Sequence, residues 1–128
     1  VATLTDDQAG LFTDKNFAVV ATVNPDGSPQ SSVVWVDWDG ENVLFNTTRP
    51  RAKGRNLSRD PRVSITVFDR ENPYRYVEVA GKAEFEDEGA NEHIHKLSHK
   101  YNGQDYPDAN GRVIVRVHPD RVHAMGVD

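Results

Sequence analysis

Between Arg49 and Arg62 the chain reads RPRAKGRNLSRDPR: six basic residues, Arg49, Arg51, Lys53, Arg55, Arg59 and Arg62, against one acid, Asp60. That segment carries +5 while the whole chain carries −5, so the remainder sums to −10. Cations at this density bind anions. Pro50 suits the first position of a helix and Asp60-Pro61 would stop one, which predicts a short basic helix over 50–59. A helix N-terminus presents unpaired N–H groups and partial positive charge. Arg51 and Lys53 therefore crowd an end that already favours a phosphate or carboxylate. At about 100° per residue, Arg51, Arg55 and Arg59 share one side, and Lys53 lies on another with Ala52, Asn56 and Leu57. Either an external anion or the chain's own excess acids would neutralise this stripe.

Polar groups flank the segment. Gln30, Ser31 and Ser32 precede Val33 on one predicted strand, and Asn46 and Thr47 end another. They could orient a ligand or simply meet backbone groups. Tyr74 and Tyr76 fall on one face of a third predicted strand, where they would stack on a planar ring or pack. Trp35 and Trp38 read as core or interface. His95 and His99 have i, i+4 spacing but lack the glutamate of HExxH. Beside Glu92, Lys96 and Lys100 they read as a solvated helix face, and no metal site is expected. The sequence has no GxSxG elbow, no GxGxxG and no P-loop, so serine-hydrolase, Rossmann and Walker sites are not expected.

These residues need elements to hold them. Thr5-Asp6-Asp7-Gln8 is a capping box and opens a helix reaching about Phe12 or Thr13. In residues 17–23, Phe17, Val19, Ala21 and Val23 share one face. Ala18, Val20 and Thr22 opposite are nearly as apolar, which predicts cover on both sides. A turn at 24–27 leads to a strand over 30–38. After Asp39-Gly40, residues 43–48 make a third strand. Residues 62–68 and 74–86 are strands four and five, with Gly81 marking a bulge or a close backbone approach. Ala90, Ile94, Leu97 and Tyr101 stripe a helix over 88–101. Residues 102–111 are a loop, 112–117 a sixth strand and 121–125 a short seventh. Six or seven mostly hairpin-connected strands with three short helices predict an all-β fold. It would be a small antiparallel barrel with helices at its ends or over one face.

A chain of 128 residues, 37% hydrophobic and 27% charged, is expected to form one domain over 1–128 with a sizeable core. No run approaches the ~18–20 apolar residues of a membrane span, and no basic-then-apolar leader opens the chain. The absence of cysteine excludes disulfides, a thiolate nucleophile and Cys-based metal sites, and fits a cytoplasmic protein. The acidic remainder argues against nucleic acid as a partner.

The strings FAVVATVNPDGSPQSSVVWV, VLFNTTRPRAKGRNLSRDPRVSITV and NPYRYVEVAGKAEF resemble the pyridoxamine 5′-phosphate oxidase-like flavin-binding split β-barrel superfamily. The similarity runs over residues 10–125 and is nearest to the actinobacterial deazaflavin-dependent (coenzyme F-420) oxidoreductases. The resemblance implies a six- to seven-stranded antiparallel split β-barrel. It also implies a homodimer with two cofactor sites in grooves at the subunit interface. The cofactor would be F-420 (8-hydroxy-5-deazaflavin), with FMN as the alternative. By resemblance, Arg51 and Lys53 hold the cofactor phosphate, with Arg55 as helper. Gln30, Ser31, Ser32 and Val33 border the ring system, and Asn46, Thr47 and Ala52 contact ring or ribityl chain. Tyr74 and Tyr76 come from the partner subunit. The implied activity is hydride transfer from reduced F-420 to an activated double bond of a small organic substrate. An FMN-dependent reductase or oxidase and a non-catalytic cofactor binder are the alternatives. No residue reads as a general acid. Pyridoxamine-phosphate oxidases proper carry a further Arg/His-rich C-terminal segment, so vitamin B6 oxidation is not the expected activity.

Overall fold

Helix α1 (Asp6–Thr13) starts where the capping box places it. Gln8 N–H donates to the Thr5 hydroxyl at 3.1 Å, and Thr5 N–H donates back to Gln8 Oε1 at 3.0 Å. The computed structural model describes all 128 residues, Val1–Asp128. Strands β1 (Ala18–Val23) and β2 (Pro29–Val34) form the first hairpin. The predicted strand over 30–38 is divided. β2 stops at Val34, the chain bends through Trp35 and Val36, and β3 (Asp37–Trp38) pairs with β4 (Val43–Thr48).

That bend closes the barrel. The remaining elements are α2 (Ala52–Arg59), β5 (Arg62–Phe68), β6 (Tyr76–Glu86), α3 (Ala90–Asn102) and β7 (Arg112–Met125). The antiparallel sheet runs β2-β1-β5-β6-β7-β4-β3, so β2 and β3 are its two edges. Yet Val34 and Asp37 are three residues apart, a span of at most about 10 Å. A seven-stranded sheet whose edges come that close must curl on itself.

Three boundaries differ from expectation. Helix α2 begins after Arg51, its N-cap, so Pro50 sits in the preceding turn. Tyr74 lies in the turn before β6 and not on the strand, so it and Tyr76 do not share a strand face. β7 is one strand where two were expected. Its register against β6 shifts between Ala80 and Gly81, opposite Pro119. A Cβ on Gly81 would lie 2.0 Å from the His118 carbonyl oxygen, so this bulge requires glycine. Pro119 is tolerated because β4 has already ended its pairing at Val117, and the free side of Pro119 takes only the Ala2 N–H, at 3.0 Å.

Val20, Val36, Phe45, Ile65, Val79 and Val115 are among the side chains that fill the barrel interior. The α3 stripe, Ile94, Leu97 and Tyr101, forms a second cluster with Trp35 and Tyr106. Within one chain β1 is covered on one face, where cover on both was expected. Ala18, Val20 and Thr22 are buried, but Phe17 and Val19 are 42% and 36% exposed. Val19 stands beside Val33, itself 66% exposed. With Tyr76 beside exposed Met125 across the sheet, these residues leave an apolar outward face.

Candidate functional site

Helix α2 is docked by both apolar and polar contacts. Leu57 packs in the barrel core. Asn56 is buried and donates through Nδ2 to Thr22 Oγ1 and to Asn24 Oδ1, each at 3.0 Å. The Thr22 hydroxyl in turn donates to Gln30 Oε1 at 3.0 Å. Gly54 permits close approach: a Cβ there would lie 2.3 Å from the Thr48 carbonyl oxygen and 2.7 Å from that of Arg49. These contacts press the helix start against the end of β4 and beside β2. Arg51 caps the helix without a side-chain bond, so the first-turn N–H groups have no side-chain acceptor.

The fold then sorts the six cations. Arg49 forms a two-pronged pair with Asp87 and lies 5.2 Å from the centre of the Phe85 ring. Arg62 pairs with Asp60 at 2.7 Å. Arg55 donates to the Pro50 carbonyl and Arg59 to that of Val23. Arg51 and Lys53 have no carboxylate partner. Lys53 Nζ instead reaches Ser32 Oγ at 3.2 Å. The stripe expected from helical spacing is therefore divided. Arg51 lines a groove with Lys53, while Arg55 and Arg59 are tied back to the main chain.

The groove has a volume of about 230 Å³. Phe17, Val33, Trp35, Ile94, Leu97 and Tyr106 form its apolar walls; Arg51, Lys53, Asn46 and Arg112 supply the polar part. Trp35, expected to be core or interface, lines it while stacked on Tyr101 with ring centres 5.4 Å apart. Arg112 was not singled out in the sequence. It is only 7% exposed and donates through Nε to Asn46 Oδ1 at 2.7 Å. Its guanidinium lies 5.1 Å from the centre of the Tyr106 ring, and it too has no carboxylate partner. The one available signal was an arginine opening the apolar strand RVIVRV. Burial, then the charges of Arg51 and Arg112, pull the Lys53 ammonium below its ordinary value. Burial foremost, with Arg51 contributing, lowers Arg112 as well. An anion would relieve this mutual repulsion.

The other expected residues distribute as follows. β2 alternates, so Gln30 and Ser32 turn inward while Ser31 and Val33 turn outward. Asn46 lines the groove, but Thr47 on the opposite face of β4 is fully buried, its hydroxyl without a partner. Ala52, half-buried, is the first residue of α2. Tyr74 is 79% exposed, Tyr76 lies 6.1 Å from His123, and neither enters the groove of its own chain. His95 Nδ1 accepts the Tyr106 N–H at 3.1 Å and His99 Nε2 meets Asp105 at 2.6 Å. Both thus brace the loop that carries Tyr106, and no three metal-binding side chains converge anywhere. A larger hollow, about 430 Å³, lies at the Gly81 bulge, but its cations Arg62, Lys82 and Arg121 are all exposed.

A family model described as pyridoxamine 5′-phosphate oxidase matches residues 4–126. The pyridoxine/pyridoxamine 5′-phosphate oxidase of Azorhizobium caulinodans is 34% identical over 82 residues, 63% of this chain and 38% of that protein. The enzyme of the same name from Aeromonas hydrophila is 36% identical over 74 residues, 57% of this chain and 35% of that one. The matched stretch is thus little more than a third of those relatives' length. Among solved structures, an F-420 reductase superposes with a TM-score of 0.84 at 35% identity, covering 94% of this chain and 98% of that chain. The conserved hypothetical protein Rv2991 of Mycobacterium tuberculosis gives 0.76 at 26% identity, over 96% and 86% of the two chains. General Stress Protein 26 of Bacillus anthracis, at 18% identity and a TM-score of 0.76 over 96% and 94%, shares the fold. Because the family match runs across nearly the whole chain, the protein belongs to the pyridoxamine 5′-phosphate oxidase family, an oxidoreductase family built on this flavin-binding split barrel.

Proposed function

We propose that the protein is an oxidoreductase that holds coenzyme F-420 in the cation-lined groove and passes hydride to an electron-poor double bond of a small, fairly apolar substrate. The carrying observation is the set Arg51, Lys53 and Arg112, three cations in one groove without a carboxylate partner. The chain's 35% identity to an F-420 reductase over 94% of its length supports the deazaflavin. The donor set fits such a group, since a phosphate at the start of α2 supplies the missing negative charge. When bound, the deazaflavin supplies the hydride chemistry.

The chain's own residues bind and orient. Arg51 and Lys53 hold the phosphate, and Ala52 adjoins the ribityl chain at the helix start. β2 is a sheet edge paired with β1 on its other side, so Gln30, Ser31, Ser32 and Val33 border the ring system and alternate residues among them offer it backbone groups that no neighbouring strand pairs. Phe17, Trp35, Ile94 and Leu97 exclude water from the rest of the groove. No carboxylic acid or imidazole lines it; with Lys53 committed to the phosphate and the Tyr106 ring set against Arg112, solvent is the donor of the proton that completes reduction in this reading. The apolar outward face at Phe17, Val19, Val33 and Met125 supports a homodimer. There Tyr74 and Tyr76 of each chain would complete the groove of the other.

Mixing reduced F-420 with the protein and a cyclic enone tests this reading. The expected result is enone-dependent cofactor oxidation that slows in Lys53→Ala at subsaturating cofactor. Binding without turnover across enones, quinones and tetrapyrroles would point to a non-catalytic carrier. A second reading, an FMN-dependent reductase or oxidase, is favoured by the names of the matched relatives. Protein that purifies yellow with FMN would select it.

A further inference from the structure

Behind the groove a buried polar chain ends at Arg112. Asn46 Oδ1 accepts from Arg112 Nε at 2.7 Å, while Asn46 Nδ2 donates to the Ala90 carbonyl at 2.9 Å and to His93 Nδ1 at 3.1 Å. The amide cannot be turned over, because a guanidinium only donates and a carbonyl only accepts. Since His93 Nδ1 accepts from Asn46, the ring proton sits on Nε2, which faces Asp37 Oδ2 at 3.7 Å. That oxygen also takes Lys96 Nζ at 3.0 Å. Asp37, Asn46 and His93 are each at least nine-tenths buried. Hydrogen bonds thus link α3 and β4 to the first residue of β7, while Asp37 on β3 faces the chain through charge alone.

A phosphate held at the start of α2 does not by itself require this chain. A buried guanidinium is unfavourable unless paired, yet Asn46, itself bonded to His93, fixes this one where no carboxylate lies within ion-pairing distance. Asn46 occupies Nε and the Tyr106 ring covers one face. The terminal fork of Arg112 is the part left to a ligand in the groove that it lines. A fork matches paired oxygens. Together with Arg51 and Lys53 it answers an anion of more than one negative charge.

We propose that Arg112 binds a pair of phosphate oxygens directly, as the third cation of the groove, and that Asn46, set by His93, is its positioning residue. This deepens the cofactor reading above and rests on it for the identity of the phosphate's owner.

The test uses inorganic phosphate as probe on the isotopically labelled full chain. The Arg112 Nε–H signal and the first-turn amides of α2 should shift along one common binding curve. Arg112→Met should weaken phosphate binding at least tenfold, and Arg62→Met, at a rim arginine already paired with Asp60, should leave it unchanged. Should the Met variant melt early, Arg112→Lys keeps charge and stem but not the bond to Asn46, and should lose affinity severalfold. For the positioning role, His93→Leu should also weaken phosphate, while His93→Gln, whose amide oxygen can accept from Asn46, should restore it. A merely structural histidine would leave the two variants alike, and that result overturns the positioning role. A silent Arg112 Nε–H with unchanged affinity in folded Arg112 variants, or no phosphate binding at all, overturns the site. Parallel titration with F-420 separates the two readings. Undiminished cofactor binding in Arg112→Met overturns the present inference alone. Arg112-dependent phosphate binding without any F-420 binding upholds the site and contradicts the cofactor proposal.

Discussion

Cations on the rim of α2 and cations in its groove come from the same short segment, yet they are treated oppositely. On the rim, Arg49 and Arg62 meet Asp87 and Asp60. In the groove, Arg51 and Lys53 meet no acid and are joined by Arg112 from the far end of the chain. Local charge density therefore does not mark the site; failure to neutralise that charge does. Lys100 sharpens the contrast. Its half-buried ammonium donates to the Phe12 and Val36 carbonyls, each at 2.7 Å, so it needs no anion.

The largest expected effect separates groove from rim. Lys53→Ala should lose a charge-assisted bond of about 1.5–3 kcal/mol, about ten- to a hundredfold in cofactor affinity. Arg49→Ala should leave that affinity unchanged. Calorimetric titration of both variants checks the difference, and equal losses would erase the distinction.

Next is the contact that holds the groove cations in place. Gly54→Ala drives a methyl into the Thr48 and Arg49 carbonyls. It should destabilise the protein by about 1–3 kcal/mol, read from urea unfolding, and weaken cofactor binding because the helix start shifts.

The buried ammonium has its own signature. Burial foremost, only partly offset by Asp37 and Asp14, pushes Lys100 down to about 8 from its ordinary 10.5. Between those values the unfolded chain binds the extra proton, so stability rises with pH across that window. Tyr101, pushed up to about 12 from 10.0 mainly by burial, has the opposite sign. It stays protonated in the fold while the unfolded phenol ionises, so stability falls above about pH 10. Urea unfolding at pH 8, 9, 10 and 11 should show a rise and then a fall. Lys100→Met should abolish the rise. The smallest effect is expected on the rim, where Arg62→Ala should change stability by less than about 1 kcal/mol.

Some of this was legible in the residues. The capping box at Thr5, the α3 stripe and the Gly81 bulge each rest on local periodicity or sterics, and each appears where its pattern put it. The break between β2 and β3 was not legible, because Val34-Trp35-Val36 contains no turn residue and the bend is imposed by closure of the sheet. The two faces of β1 were both apolar, so sequence alone could not say which one this chain covers. Arg112 was missed for a related reason. Whether a cation has an acid beside it depends on neighbours distant in the chain, here Asn46 and Tyr106. The same limit applied to Arg55 and Arg59, which share a helical side with Arg51 but end on backbone carbonyls.

The most direct test of the central claim is a comparative titration of the wild-type chain with F-420 and FMN, repeated in Lys53→Ala. The account predicts saturable binding of one F-420 per chain, tighter than FMN, weakened by salt and reduced at least tenfold by the substitution. Tighter binding of FMN would contradict the deazaflavin assignment. F-420 affinity unchanged in folded Lys53→Ala would contradict the claim that the unneutralised cations hold the cofactor's phosphate.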